Sequence, residues 1–196
     1  MKYALLFLLL GVNGLGQNET KVRCEIQDLA IAAALGNPDA QYDLAVEFHK
    51  GEAVPQDLAK SAELWRMAAK AGVISAYNNL GHLTYYGRGI KQNFAEGIRL
   101  WRVAASNGHP ESQVHLGYAY SDGKYLKPNL VEAYAWSSAG KYSAGHLDDP
   151  ELSKSIVEMV TKLHSILTLK LSARQLAHAE QRTKLYISRY GNKRVK

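Results

Sequence analysis

The chain has 196 residues, with 24 Lys and Arg against 18 Asp and Glu, a formal charge of +6 and one cysteine. A lone cysteine excludes an internal disulfide framework. The longest apolar run, Tyr3 to Val12, is only ten residues, half of the about 20 that a membrane-spanning helix needs. The basic excess is local, because residues 170–196 hold Lys170, Arg174, Arg182, Lys184, Arg189, Lys193, Arg194 and Lys196 against Glu180 alone.

In chain order, Met1-Lys2, the apolar run and the small residues Gly14 and Gly16 have the pattern of a secretory signal peptide over residues 1–16, with a mature start at Gln17. Cys24 follows too far from the apolar run for lipid attachment. Two readings are open for it: pairing with another chain, or a small residue tucked under the first helix.

From residue 25 a 36-residue period sets in. Ala76, Leu80, Gly87, Trp101 and Gly108 fall on Ala40, Leu44, Gly51, Trp65 and Gly72, and, one period on, Ser112, Leu116 and Gly123 line up. A fixed period of this size marks stacked repeats. Residues 25–36 read as a lone second helix capping one end, with full units at 37–72, 73–108 and 109–144. Gly36, Gly72 and Gly108 are placed to end second helices, and Gly51, Gly87 and Gly123 to end first helices. Asn37-Pro38-Asp39 and His109-Pro110-Glu111 start first helices; Asp57, Asn93 and Asn129 start second helices. Glu96 and Glu132 stand three residues after their caps, the spacing of a capping box. Ala40, Leu44 and Phe48, then Ala76, Leu80 and Thr84, then Ser112, Leu116 and Tyr120, are four apart and share a helical face. The sequence therefore predicts an all-α fold, a solenoid of antiparallel helix pairs.

The pattern A-x-x-x-L-G-x-x-Y-x-x-G, a loop, then D-x-x-K-A-x-x-W-Y-x-x-A-A-x-x-G resembles the Sel-1-like repeat family, relatives of the tetratricopeptide repeat, over residues 40 to about 140. The resemblance implies a superhelical stack whose concave face, lined by first helices, binds a protein partner. It also implies an exported protein of the bacterial cell envelope, in the periplasm. The chain departs from the pattern in several places. Ala45 replaces the glycine after leucine, and Thr84 takes a tyrosine slot. Trp136 occupies the tryptophan slot, whereas units one and two place Leu64 and Leu100 there and shift the tryptophan to the next position, at Trp65 and Trp101. Gly140-Lys141 replaces the Ala-Ala pair.

Beyond residue 144, Asp149-Pro150-Glu151 starts a long helix, and Leu171-Ser172 with Gln175 and Leu176 starts another. Residues 145–190 read as a divergent terminal helix pair and 191–196 as a disordered basic tail. On the last helix Leu176, Ala179, Thr183 and Ile187 form an apolar line, leaving Arg182, Lys184 and Arg189 for a solvated exterior or for contact with an anionic lipid or glycan surface.

None of the seven histidines has an i, i+4 partner with the acid of a zinc helix, and no nucleophile elbow or phosphate loop is present. The reading is non-catalytic, with no cofactor, no metal and no nucleic acid. Tyr42, His49, Asn78, His82, Tyr85 and Tyr118 fall between the core positions of the first helices, where rings and amides suit an extended peptide or glycan. Two alternatives stand beside a protein-binding scaffold: an enzyme acting on cell-wall material, and an envelope-surface binder using the basic helix. Cysteine-rich members of the resembled family have been proposed to handle penicillins, but those carry paired cysteines in each repeat.

Overall fold

The structure, a computed structural model, describes residues 17–191. Among them there are nine α-helices and no strand: α1 (Gln17–Ala34), α2 (Pro38–Lys50), α3 (Leu58–Lys70), α4 (Ile74–Tyr86), α5 (Phe94–Ser106), α6 (Pro110–Asp122), α7 (Leu130–Ala144), α8 (Pro150–Lys170) and α9 (Ala173–Tyr186), followed by a π-helical turn, Ile187–Gly191. The signal-peptide residues 1–16 and the tail residues 192–196 lie outside the described part. The first helix begins at Gln17 rather than residue 25. Gly191, assigned to the tail, is instead buried at the end of the π-turn.

Seven helices, α2, α3 and α5 to α9, begin where a cap side chain replaces a missing backbone partner, whereas α4 starts at Val73 with no side-chain cap. Asn37 Oδ1 accepts from the N–H groups of Asp39 and Ala40 at 3.0 Å. Asp57, Asn93 and Asn129 each accept from the N–H three residues on, at 2.9, 3.0 and 3.1 Å. The first helices of the three units stop at Gly51, Gly87 and Gly123, whose φ values of 76°, 69° and 67° lie in the left-handed region. The chain then folds back, and Asp57, Asn93 and Asn129 donate their backbone N–H to Phe48, Thr84 and Tyr120 carbonyls. The capping boxes expected at Glu96 and Glu132 do not form. Glu96 turns to Arg99 in a two-pronged contact at 2.7 Å, and Glu132 turns to α9. Among the described residues, only Ser172 and Gln175 make the reciprocal pair.

Packing follows the repeat. Within a unit the first helix lies against the second, and each second helix lies against the next first helix. Alanines permit this: Ala62, Ala68, Ala76, Ala104 and Ala105 are fully buried. Gly81 is required by close approach, since a Cβ there would sit 2.7 Å from the Trp101 ring. Gly140 has the same cause, because a Cβ would meet Val114 at 2.7 Å and the Pro110 carbonyl at 2.9 Å. The loss of the Ala-Ala pair in the third unit thus brings α7 tight against α6, and α7 runs 15 residues against 13 in its counterparts.

The end of the chain differs from the expected helix pair. α8 takes the place of a fourth first helix, packing on α7 and α6, with Ile156, Val160, Leu163 and Leu167 buried. α9 does not pair with α8. It crosses to α7, and the π-turn continues onto α7 and α5.

Candidate functional site

The first helices carry a row of rings and amides whose members touch across unit boundaries. At the first boundary Asn79 Nδ2 donates to the Tyr42 hydroxyl at 3.3 Å; within the first unit His49 lies on Trp65 with ring centres 5.3 Å apart. At the second, Asn78 donates to Glu111 Oε2 at 3.0 Å and accepts from Ser112 Oγ at 2.7 Å, while its carbonyl accepts from the Trp101 indole N–H at 3.3 Å. Asn78 is only 4% exposed. It joins two units and is not available to a ligand, which corrects its assignment as a binding residue. The signal was in the next unit, where Glu111 and Ser112 stand in the places of Ser75 and Ala76.

His82, Tyr85 and Tyr118 are half-buried and come together beyond that junction. His82 faces Tyr86 at 4.7 Å and His115 at 6.3 Å; His115 stacks on Trp101 at 4.5 Å, and Tyr85 lies 4.7 Å from Trp101. Tyr118 donates its hydroxyl to the Met159 carbonyl at 2.9 Å, tying α6 to α8. Between them opens a cleft of about 490 Å³ lined by Tyr85, Tyr86, Trp101, His115, Tyr118, Ala119, Asp122 and Met159. Tyr86, His115, Asp122 and Met159 were not foreseen as site residues. Met159 belongs to a helix outside the repeat frame, so the period could not place it; Tyr86 and Asp122 sit in one slot of successive units, 36 residues apart.

Burial sets the charge of this face. It pushes His115 down to about 3, helped by the neighbouring His82 and His109, and His109 down to about 4. Burial and the Arg88 charge hold His82 below its ordinary value. The imidazoles are therefore neutral near pH 7 and act as rings and hydrogen-bonding groups. Burial raises Glu111, while its hydrogen bond from Asn78 works the other way.

The basic residues of the last helix separate. Lys184 and Arg189 are exposed. Arg182 is not free for an external anion: its guanidinium pairs with Glu132 on α7 and lies 5.8 Å over the Tyr186 ring. Tyr186 donates to the other Glu132 oxygen at 2.6 Å, and burial with that contact pushes it up to about 12. Trp136 stacks against Tyr186 and Tyr190 at 4.3 and 5.6 Å. The displaced tryptophan is therefore the platform on which α9 sits.

Ser137, which takes the slot of Trp65 and Trp101, lies 3.0 Å from His164 Nε2. This is packing: Ser137 is fully buried and donates to the Ala133 carbonyl at 2.7 Å, and His164 stacks on Tyr134 at 4.2 Å. Cys24 is exposed on α1 rather than tucked beneath it. Among the described residues no group of three or more His, Cys, Asp or Glu could hold a metal ion, and no helix is long and apolar enough to cross a membrane.

The Sel1 repeat family model matches residues 38–73, 74–109 and 110–139. Among solved structures, the chain is similar to a protective antigen present in uropathogenic Escherichia coli strains that displays an SLR fold. The identity is 26% and the TM-score 0.61, over 85% of this chain and 41% of that one. It also shares its fold with a Sel1 repeat protein from Oxalobacter formigenes, at 22% identity and a TM-score of 0.55, over 70% of this chain and 63% of that one. The chain thus spans less than two thirds of the length of either. No curated protein matches it.

Proposed function

The chain belongs to the Sel1 repeat family, whose members generally mediate protein–protein interaction, and from that premise we propose that it is an exported, non-catalytic scaffold docking a protein partner of the bacterial cell envelope on its first-helix face. The observation that carries the choice of face is the set Tyr42, His49, His82, Tyr85 and Tyr118, half-buried on successive first helices, of which Tyr85 and Tyr118 line the open cleft beside Tyr86. Held rings supply contact area at little conformational cost on binding. Export is supported by the basic start, ten-residue apolar run and small residues of positions 1–16. An anionic-surface role for the last helix is weakened, because only two of its three named cations, Lys184 and Arg189, face outward.

A photo-crosslinking residue at position 86, on the first-helix face, compared with one at the exposed position 102 of α5, tests the docking face in envelope fractions. Crosslinks to one defined protein from 86 and none from 102 are expected; the reverse overturns the proposal. Intact mass checks export. A mature chain starting near Gln17 without acyl groups is expected, and retention of Met1 to Gly16 contradicts it.

A further inference from the structure

The cleft between α4, α6 and α8 has a chemistry of its own. Its walls are aromatic, from Tyr85, Tyr86, Trp101, Tyr118 and the neutral His115, and Asp122 is its one charged lining residue. The cleft opens where two helices end. α4 finishes at Tyr86 and α6 at Asp122, with Gly87 and Gly123 as C-caps, and the C-terminus of a helix carries partial negative charge. Ring faces, a carboxylate and two helix C-termini all favour one kind of guest, a cation. The nearby positive charges lie at the flanks: Arg88 acts on His82 and His49, and Lys124 sits 5.1 Å over Tyr125, from where its charge also acts on Asp122.

We infer that this cleft receives an arginine side chain of an extended segment of the docked protein, its guanidinium lying against the tyrosine rings and reaching the Asp122 carboxylate. The inference rests on the first-helix face being the docking surface and names what that surface selects. Arginine is favoured over lysine because its planar group stacks on a ring while its in-plane N–H groups still donate to a carboxylate. The back of the third unit shows the same chemistry already satisfied. There the Glu132 carboxylate and the Tyr186 ring hold Arg182, whereas at the cleft the carboxylate and rings are present and, among the described residues, no cation lines it.

The test is an NMR titration of the full chain with three capped tripeptides, acetyl-Gly-X-Gly-amide with X as Arg, Lys or Phe. The arginine peptide is expected to move the Trp101 indole and His115 ring signals saturably, at millimolar levels fitting a single side-chain contact. Asp122→Asn should weaken it by roughly fivefold or more, with the loss shrinking at high salt. Tyr86→Ala should also weaken it and Tyr86→Phe should not, because the ring face and not the hydroxyl is the contact. Both Asp122 and Tyr86 are exposed, so circular dichroism of these variants should match the parent. Absence of any shift, tighter binding of the phenylalanine peptide, or an unaltered Asp122→Asn variant each overturns the inference. If position 86 crosslinks a partner but the arginine peptide does not bind, the cation inference fails and the docking face stands. If the peptide binds while crosslinks come only from position 102, the docking face fails.

Discussion

The third unit presents two aromatic–carboxylate arrangements, one at the end of α6 and one at the start of α7, and they differ in whether the chain itself fills them. On the back, Glu132 is engaged by Tyr186 and Arg182, and Trp136 is covered by Tyr186 and Tyr190. On the first-helix side, Asp122 stands exposed at the mouth of a ring-lined cleft. In the first two units Trp65 and Trp101 point into the stack, next to His49 and to His115 with Tyr85. Moving the tryptophan by one position turns a helical side chain by about 100°; Trp136 packs in one buried cluster with Trp101, Ala105 and Tyr186, and gives α9 a seat. The comparison teaches that the same residue types close a repeat stack when the chain brings its own arginine, and offer a docking point when it does not.

The largest expected effect separates the two sides by pH. His109 and His115, held at about 4 and about 3 in the folded chain, return to about 6.5 on unfolding. Between those values the unfolded chain binds protons that the folded one excludes. Stability is therefore full above about pH 6.5 and falls as pH drops toward the folded values; the raised Glu111 works in the opposite direction. The back behaves oppositely. Tyr186, raised to about 12, contributes stability that is present below about pH 10 and lost as pH rises toward 12. The three tryptophan indole signals report this in one NMR spectrum: Trp101 should be perturbed first on acidification and Trp136 first in alkali.

Glu132→Ala should be the next largest. It strands Arg182, whose Nε already has no hydrogen-bond partner, and removes the acceptor of the Tyr186 hydroxyl. Full burial would make the loss about 3–5 kcal/mol; with Arg182 partly exposed, about 2–3 kcal/mol is expected by denaturant melting, together with faster exchange of α9 amides. Tyr186→Phe, which keeps the ring on Trp136 and removes one charge-assisted hydrogen bond, should cost about 1.5 kcal/mol in the same assay. Asp122→Asn should sit at the bottom of the scale, within about 0.5 kcal/mol of the parent. Equal destabilisation by Glu132→Ala and Asp122→Asn would erase the distinction between an engaged and an open carboxylate.

Much of the fold was legible because it is written locally. Asn37, Asp57, Asn93 and Asn129 are read as caps from their neighbours alone, and the glycines recur at a fixed period. The core positions Leu80 and Leu116 follow from the same register, and both are buried. What the sequence hid are pairings between units. Asn78 looks like a face residue until Glu111 and Ser112, 33 and 34 positions on, bond to it. Glu132 looks like half of a capping box until α9 arrives with Tyr186, 54 residues later. Trp136, in the slot where the first two units place Leu64 and Leu100, and Gly140 were the readable traces of the altered third unit. Their meaning required knowing that α9 crosses to α7, and no local pattern encodes that.

The central claim is that the first-helix face, and not the back, meets the partner. Hydrogen–deuterium exchange of the chain with and without the protein crosslinked at position 86 tests it most directly. Protection is predicted at the C-terminal turns of α4 and α6, around Tyr86 and Asp122, with α5 and α9 unchanged. Protection confined to α5 or α9, with α4 and α6 exchanging as in the free chain, would contradict it.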